Sequence, residues 1–199
     1  MQRYRLADER QTGRWAQALA QALPSQDLER QAFIVTLRGD LGAGKTTLVR
    51  YLLRALGVQG RIKSPTFALV ESYNLPKFSV YHFDLYRFST PDQWFDAGFD
   101  DIFAGAGLML VEWPEQAVGA LPAADLDLRL LLPDPDTDET PRAHPARDDT
   151  RGDAAAGTDT AETDPDPAEA RHLEAHAHSA RGTQCLTKLA NILAADDAC

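Results

Sequence analysis

The chain has 199 residues, 44% hydrophobic and 25% charged, with a formal net charge of −10 and two cysteines. That length and apolar content suit one domain with a core of its own, and two thiols near the C-terminus, Cys185 and Cys199, do not make a disulfide framework. Residues 1–11 are charged and lack the apolar centre of a signal peptide, and no apolar run approaches the ~20 residues of a membrane span. The sequence therefore reads as a soluble, cytoplasmic protein without a membrane partner.

The charge is unevenly placed. Residues 134–170 hold twelve acids against three bases and leave the rest of the chain close to neutral. The same stretch contains no Leu, Ile, Val, Met or aromatic residue, so it cannot bury enough surface to offset its ordering entropy. The expected organisation is a core over residues 1–133, a disordered acidic insertion over 134–168, and a C-terminal strand and helix over 169–199 that complete the same domain.

Residues 6–23 read as a strand end followed by a helix, with Asp8 or Thr12 as N-cap and Trp15, Leu19 and Leu23 on one face. Residues 32–37 form an apolar, β-branched run, the pattern of a strand buried on both faces of a parallel sheet. A glycine-rich turn follows, and then Leu48, Val49, Leu52, Leu53 and Leu56 recur at helical spacing as far as Gly57. Residues 67–73 and 78–84 read as two strands of a hairpin around Asn74-Leu75-Pro76-Lys77. A short helix is predicted with Thr90 as N-cap, Pro91 in its first turn, Gln93 completing a capping box and Gly98 as its stop. Residues 108–111 are another buried-strand run, 126–132 and 171–178 alternate as strands, and Leu186, Leu189, Ala190 and Leu193 mark a terminal amphipathic helix.

The chemistry concentrates at residues 39–46, Gly39-Asp40-Leu41-Gly42-Ala43-Gly44-Lys45-Thr46, which match G-x-x-x-x-G-K-[ST] between a predicted strand and a predicted helix. Backbone N–H groups around Gly42, Ala43 and Gly44 and the helix N-terminus suit a phosphate. Lys45 can reach the β- and γ-phosphates, and the Thr46 hydroxyl can take one position on Mg²⁺. Such a loop needs a carboxylate at the end of a neighbouring buried strand. Glu112 after residues 108–111 and Asp84 after residues 79–83 both fit, and either could instead cap its own loop.

Four phrases occur in order: the loop with Thr47, Lys63-Ser64-Pro65-Thr66-Phe67, Tyr81-His82-Phe83-Asp84-Leu85-Tyr86-Arg87 and Val111-Glu112-Trp113-Pro114-Glu115. Their sequence and spacing resemble the bacterial TsaE family, also called YjeE, over about residues 1–132 and again from about 169. That resemblance implies an α/β P-loop NTPase with a mixed, largely parallel sheet flanked by helices. It implies an ATPase, slow alone and stimulated by partners, required for N6-threonylcarbamoyladenosine (t6A) modification of the tRNA adenosine beside the anticodon. TsaB and TsaD would be the partners, with tRNA reached through the complex and no role for DNA. By the same resemblance Lys45, Asp84 and Glu112 serve catalysis and Thr46 and Glu112 bind Mg²⁺. Thr47 is then needed for activity, Trp113 lies near the ATP, and Glu9 and Thr12 lie on its adenine side. Further adenine contacts from the C-terminal hairpin would fall where this chain carries its insertion.

Other patterns have plainer readings. Residues 63–66 could sense a γ-phosphate through a hydroxyl or be an ordinary turn. Arg50, Arg54, Arg61 and Lys63 form a basic cluster that suits a solvated face, and His172, Glu174, His176 and His178 share one face of the last strand, as a metal site or as the polar face of an edge strand. Trp15 and Trp94 suit the core. A small-molecule kinase and a non-catalytic nucleotide-dependent interaction module could use the same loop, although the stretch between Asp84 and Leu108 is short for an acceptor pocket and a lid.

Overall fold

The computed structural model describes residues 1–24, 27–90, 92–132 and 170–196. The strands are β1 (Gln2–Leu6), β2 (Ala32–Arg38), β3 (Val70–Asn74), β4 (Ser79–Asp84), β5 (Gly107–Glu112), β6 (Leu126–Leu131) and β7 (Arg171–Ala177). The helices are α1 (Glu9–Ala22), α2 (Lys45–Ala55), α3 (Gln93–Asp96), α4 (Phe99–Phe103) and α5 (Ala180–Asp196). All seven strands join one sheet in the order β1-β7-β6-β2-β5-β4-β3. Its centre is parallel, β6-β2-β5-β4, whereas β1 and β7 on one side and β3 on the other pair antiparallel with their neighbours. The sheet is thus mixed and largely parallel, as expected.

The central strands are apolar because both their faces are covered. All six residues of β5 are buried, and successive side chains enter opposite layers: Leu108 and Leu110 join a cluster with Trp15, Leu19, Leu48 and Leu53, while Met109 and Val111 join one with Phe83, Trp94, Phe99 and Phe103. Helices α1, α2 and α5 cover the first face and α3 and α4 the second. Trp94 anchors the second layer, 4.7 Å from the Phe103 ring and donating from its indole N–H to Asp100 at 2.9 Å. Both tryptophans assigned to the core, Trp15 and Trp94, are buried.

Local signals resolve as follows. Asp8, not Thr12, caps α1, accepting from the Gln11 N–H at 2.7 Å. Gln93 behaves as half of a capping box, its Oε1 accepting from the Ser89 N–H at 2.7 Å and the Thr90 N–H at 3.3 Å, but Thr90 answers with its main-chain carbonyl instead of its side chain, and Asp92 precedes the helix. Pro91 lies outside the described residues. Strand β3 starts at Val70 instead of residue 67, because Leu69 sits at φ +66 and donates its N–H to the Pro65 carbonyl at 2.6 Å, closing a turn that a β ladder cannot contain. Strand β7 is not an edge strand, since β1 lies outside it.

Strands β6 and β7 pair antiparallel up to Leu131 and His172. The acidic insertion expected over residues 134–168 falls outside the described residues. Helix α5 is fastened to the start of β6 by Asp125, a buried carboxylate that accepts from the Ile34 N–H at 3.0 Å, the Ser179 hydroxyl at 2.5 Å and the Arg181 guanidinium at 3.0 Å. Gly182 allows that approach, since a Cβ there would stand 2.1 Å from the Asp125 carbonyl oxygen.

One turn further, burial pushes the Cys185 thiol up to about 12. Because the thiolate is the reactive form, Cys185 should resist iodoacetamide at pH 8 in the native protein and react on unfolding, as read by peptide mass spectrometry. Rapid native labelling would contradict the docking of α5.

Candidate nucleotide site

The parallel strands β2, β5 and β4 all end on one side of the sheet, and their exits place the candidate residues together. Strand β2 runs into the glycine loop and α2, β5 ends in Glu112, and β4 ends in Asp84, which is paired in register with Glu112. Gly42 and Gly44 take φ +79 and +98, and Gly39, at φ +137, lies so close to β6 that a Cβ would meet the Leu130 carbonyl oxygen at 2.3 Å. The loop delivers Gly42, Gly44, Lys45, Thr46 and Thr47 to a pocket of about 280 Å³, closed on the other side by Ser64, Thr66, Asp84, Glu112 and Trp113. Ala43 is turned into the core, its N–H bonded to the Asp40 carbonyl at 3.1 Å.

The Lys45, Thr46, Ser64, Thr66, Asp84 and Glu112 side chains of the pocket are all hydrogen-bonded. Lys45 donates from Nζ to the Gly39 and Asp40 carbonyls at 2.6 and 2.9 Å and lies 3.8 Å above the Trp113 ring centre. Desolvation lowers its pKa, and the carboxylates of Glu112, Glu115, Asp84 and Asp40 oppose that shift. The Thr46 hydroxyl donates to Glu112 Oε2 at 2.9 Å, and Glu112 Oε1 lies 2.8 Å from His82 Nε2. Asp84 Oδ2 accepts from the Thr66 hydroxyl at 2.7 Å and from that of Ser64 at 3.2 Å, while Oδ1 accepts from the Tyr86 N–H at 3.1 Å. Trp113 meets Lys45 from a left-handed backbone, φ +59, and its ring centre lies 5.0 Å from that of Tyr86.

A threonine hydroxyl joined to a strand-end carboxylate, directly after a lysine at a glycine-loop helix terminus, is the donor set that a hard divalent cation beside a polyphosphate requires. A family model described as "Threonylcarbamoyl adenosine biosynthesis protein TsaE" matches residues 6–139. The chain belongs to the TsaE family. It is 44% identical over 121 residues to the TsaE protein of Haemophilus influenzae, a match spanning 61% of this chain and 76% of that one. The TsaE protein of Synechocystis is 43% identical over 118 residues, 56% of this chain and 69% of its own. Bacillus subtilis YdiB, a solved structure 24% identical, superposes with a TM-score of 0.63 over 96% of this chain and 94% of its own and shares the fold. Membership in the TsaE family ties the chain to threonylcarbamoyladenosine biosynthesis for tRNA, and family and loop together imply nucleotide binding.

Not all residues named from the TsaE resemblance meet at the pocket. Glu9 accepts from the Tyr51 hydroxyl of α2 at 2.8 Å, and buried Thr12 donates to the Asp8 carbonyl, so neither lines the phosphate end. His172 and His178 are exposed, and Glu174 pairs with Arg3 at 2.9 Å. Among the described residues no group of three or more His, Cys, Asp or Glu side chains is placed to hold a metal ion. Arg50, Arg54, Arg61 and Lys63 are exposed. Sequence reasoning missed any role for His82, although its place two residues before Asp84, on the same strand face, was a usable signal.

Proposed function

We propose that the protein is an ATPase of tRNA t6A modification. The Thr46–Glu112 hydrogen bond beside Lys45 is the observation that carries this reading. On it, Gly42, Gly44 and Thr47 cradle the phosphates of ATP, Ala43 packs the loop against the core, and Lys45 leaves the Gly39 and Asp40 carbonyls for the β- and γ-phosphates. Thr46 and Glu112 would hold Mg²⁺, which supplies charge neutralisation at the transferring phosphoryl group. Asp84, joined to Thr66 and Ser64, orients the attacking water and couples the 63–66 loop to the γ-phosphate. Trp113 packs near the nucleotide, and Glu9 and Thr12 stand towards its adenine end.

The protein works in the cytoplasm with TsaB and TsaD. Leu41, 73% exposed on the pocket rim, and Phe67, 84% exposed after Thr66, are apolar side chains suited to a protein partner. An acidic chain with one small basic cluster lacks the many cations that grip tRNA, so the partners supply the RNA surface. Among the described residues none between Phe88 and Gly107 lines the pocket, and α3 and α4 pack into the core, which disfavours a kinase with an acceptor pocket there.

The test is reconstitution with TsaB, TsaD, tRNA and a source of threonylcarbamoyl groups. Phosphate release should be slow with this protein alone and rise on adding TsaB and TsaD, and multiple-turnover t6A formation should stop when the protein is omitted. Modification that runs equally well without it would overturn the assignment, and turnover of a small-molecule phosphoacceptor would replace it with a kinase.

A further inference from the structure

Within this reading, we propose that His82 is a positioning residue that holds the Glu112 carboxylate for the metal. His82 lies on β4 and has no solvent exposure; its Nε2 is 2.8 Å from Glu112 Oε1. Its Nδ1 is buried with no hydrogen-bond partner. A carboxylate oxygen can only accept here, so Nε2 carries a proton and donates it to Oε1.

A space-filling role does not need an imidazole. Leucine or phenylalanine would fill a fully buried position in this sheet without desolvating two ring nitrogens. What the imidazole adds is a fixed donor beneath Glu112. Its bond occupies Oε1 and leaves Oε2 to the Thr46 hydroxyl at 2.9 Å, so the carboxylate is held from both sides. His82 does not line the pocket and touches neither Lys45 nor Thr46 by a hydrogen bond, so its effect passes through Glu112. Carboxylates that serve metals are themselves hydrogen-bonded, and losing such an outer partner typically lowers metal affinity about 10- to 100-fold.

The test uses Mn²⁺ as the probe, titrated into the full-length protein loaded with a non-hydrolysable ATP analogue and followed by electron paramagnetic resonance. Analogue affinity in EDTA is measured beside it. His82→Leu should weaken Mn²⁺ by roughly 10- to 100-fold and leave analogue affinity in EDTA unchanged. His82→Gln, whose amide Nε2 donor sits at the same reach as the imidazole Nε2, should restore Mn²⁺ affinity to near the wild-type value. If wild type binds Mn²⁺ with the analogue and both variants match it, the positioning role is wrong while the nucleotide site stands. If both variants lose Mn²⁺ and analogue in EDTA together, His82 is structural only. A wild-type protein that binds no Mn²⁺ with the analogue overturns the proposed function itself, and the role of His82 with it.

Discussion

Lys45→Ala should weaken ATP binding on the order of 100-fold without unfolding the protein, because one charge-assisted hydrogen bond is worth about 1.5–3 kcal/mol and each 1.4 kcal/mol is tenfold. The bonds that Lys45 now makes go to the Gly39 and Asp40 carbonyls of its own loop and hold no strand or helix in place. Its removal therefore costs the fold little. The pH dependence has a definite sign. Desolvation lowers the Lys45 pKa in the free protein, and phosphate would raise it again, so ATP binding takes up protons between that lowered value and the ordinary 10.5. Within that window affinity falls as pH rises, and Lys45→Ala should remove the dependence. Calorimetry in two buffers of different ionisation enthalpy reads both effects, and equal ATP affinity in mutant and wild type would exclude Lys45 from the phosphates.

The parts of this site that were legible in the sequence are those fixed by local rules. The run of residues 108–111 announced a strand with two covered faces, and an acid directly after it had to emerge at the strand's end, which is where Glu112 stands. The glycine loop is legible because only glycine relieves the positive φ at Gly42 and the contact of Gly39 with Leu130. Pairing across the chain was not legible. Nothing local to Tyr81-His82-Phe83 says that β4 will lie beside β5 in a register that pairs Asp84 with Glu112 and so brings the His82 side chain within reach of Glu112 across the diagonal, nor does residue 125 reveal that it will fasten a helix more than fifty residues later. The turn at Leu69 was misread for the opposite reason: Phe67, Leu69 and Val70 have strand-like side chains, and the carbonyl of Pro65 and the hydroxyl of Thr66 override that propensity. The adenine end shows the same division, since Glu9 and Thr12 were placed there by family resemblance while their hydrogen bonds in this structure run to Tyr51 and Asp8.

Glu112→Gln should leave ATP bound and lower Mg²⁺-dependent phosphate release roughly 100- to 1,000-fold, the usual cost of removing one group that stabilises transition-state charge. The substitution keeps size but fails twice. It removes the negative charge expected to hold the cation. It also leaves one acceptor oxygen where the carboxylate offers two. With the amide oxygen turned to His82 Nε2, the NH₂ that replaces Oε2 can donate to the Thr46 oxygen, so the side chain stays in place but presents no lone pair to the cation on the Thr46 side. Lys45 and the loop N–H groups still meet the phosphates, which is why binding survives. Phosphate release measured across a Mg²⁺ titration, with ATP affinity in EDTA alongside, separates the two effects: turnover should stay low even at saturating Mg²⁺. Full turnover in Glu112→Gln would move the metal to Asp84, the other strand-end carboxylate, and Asp84→Asn should then carry the larger loss.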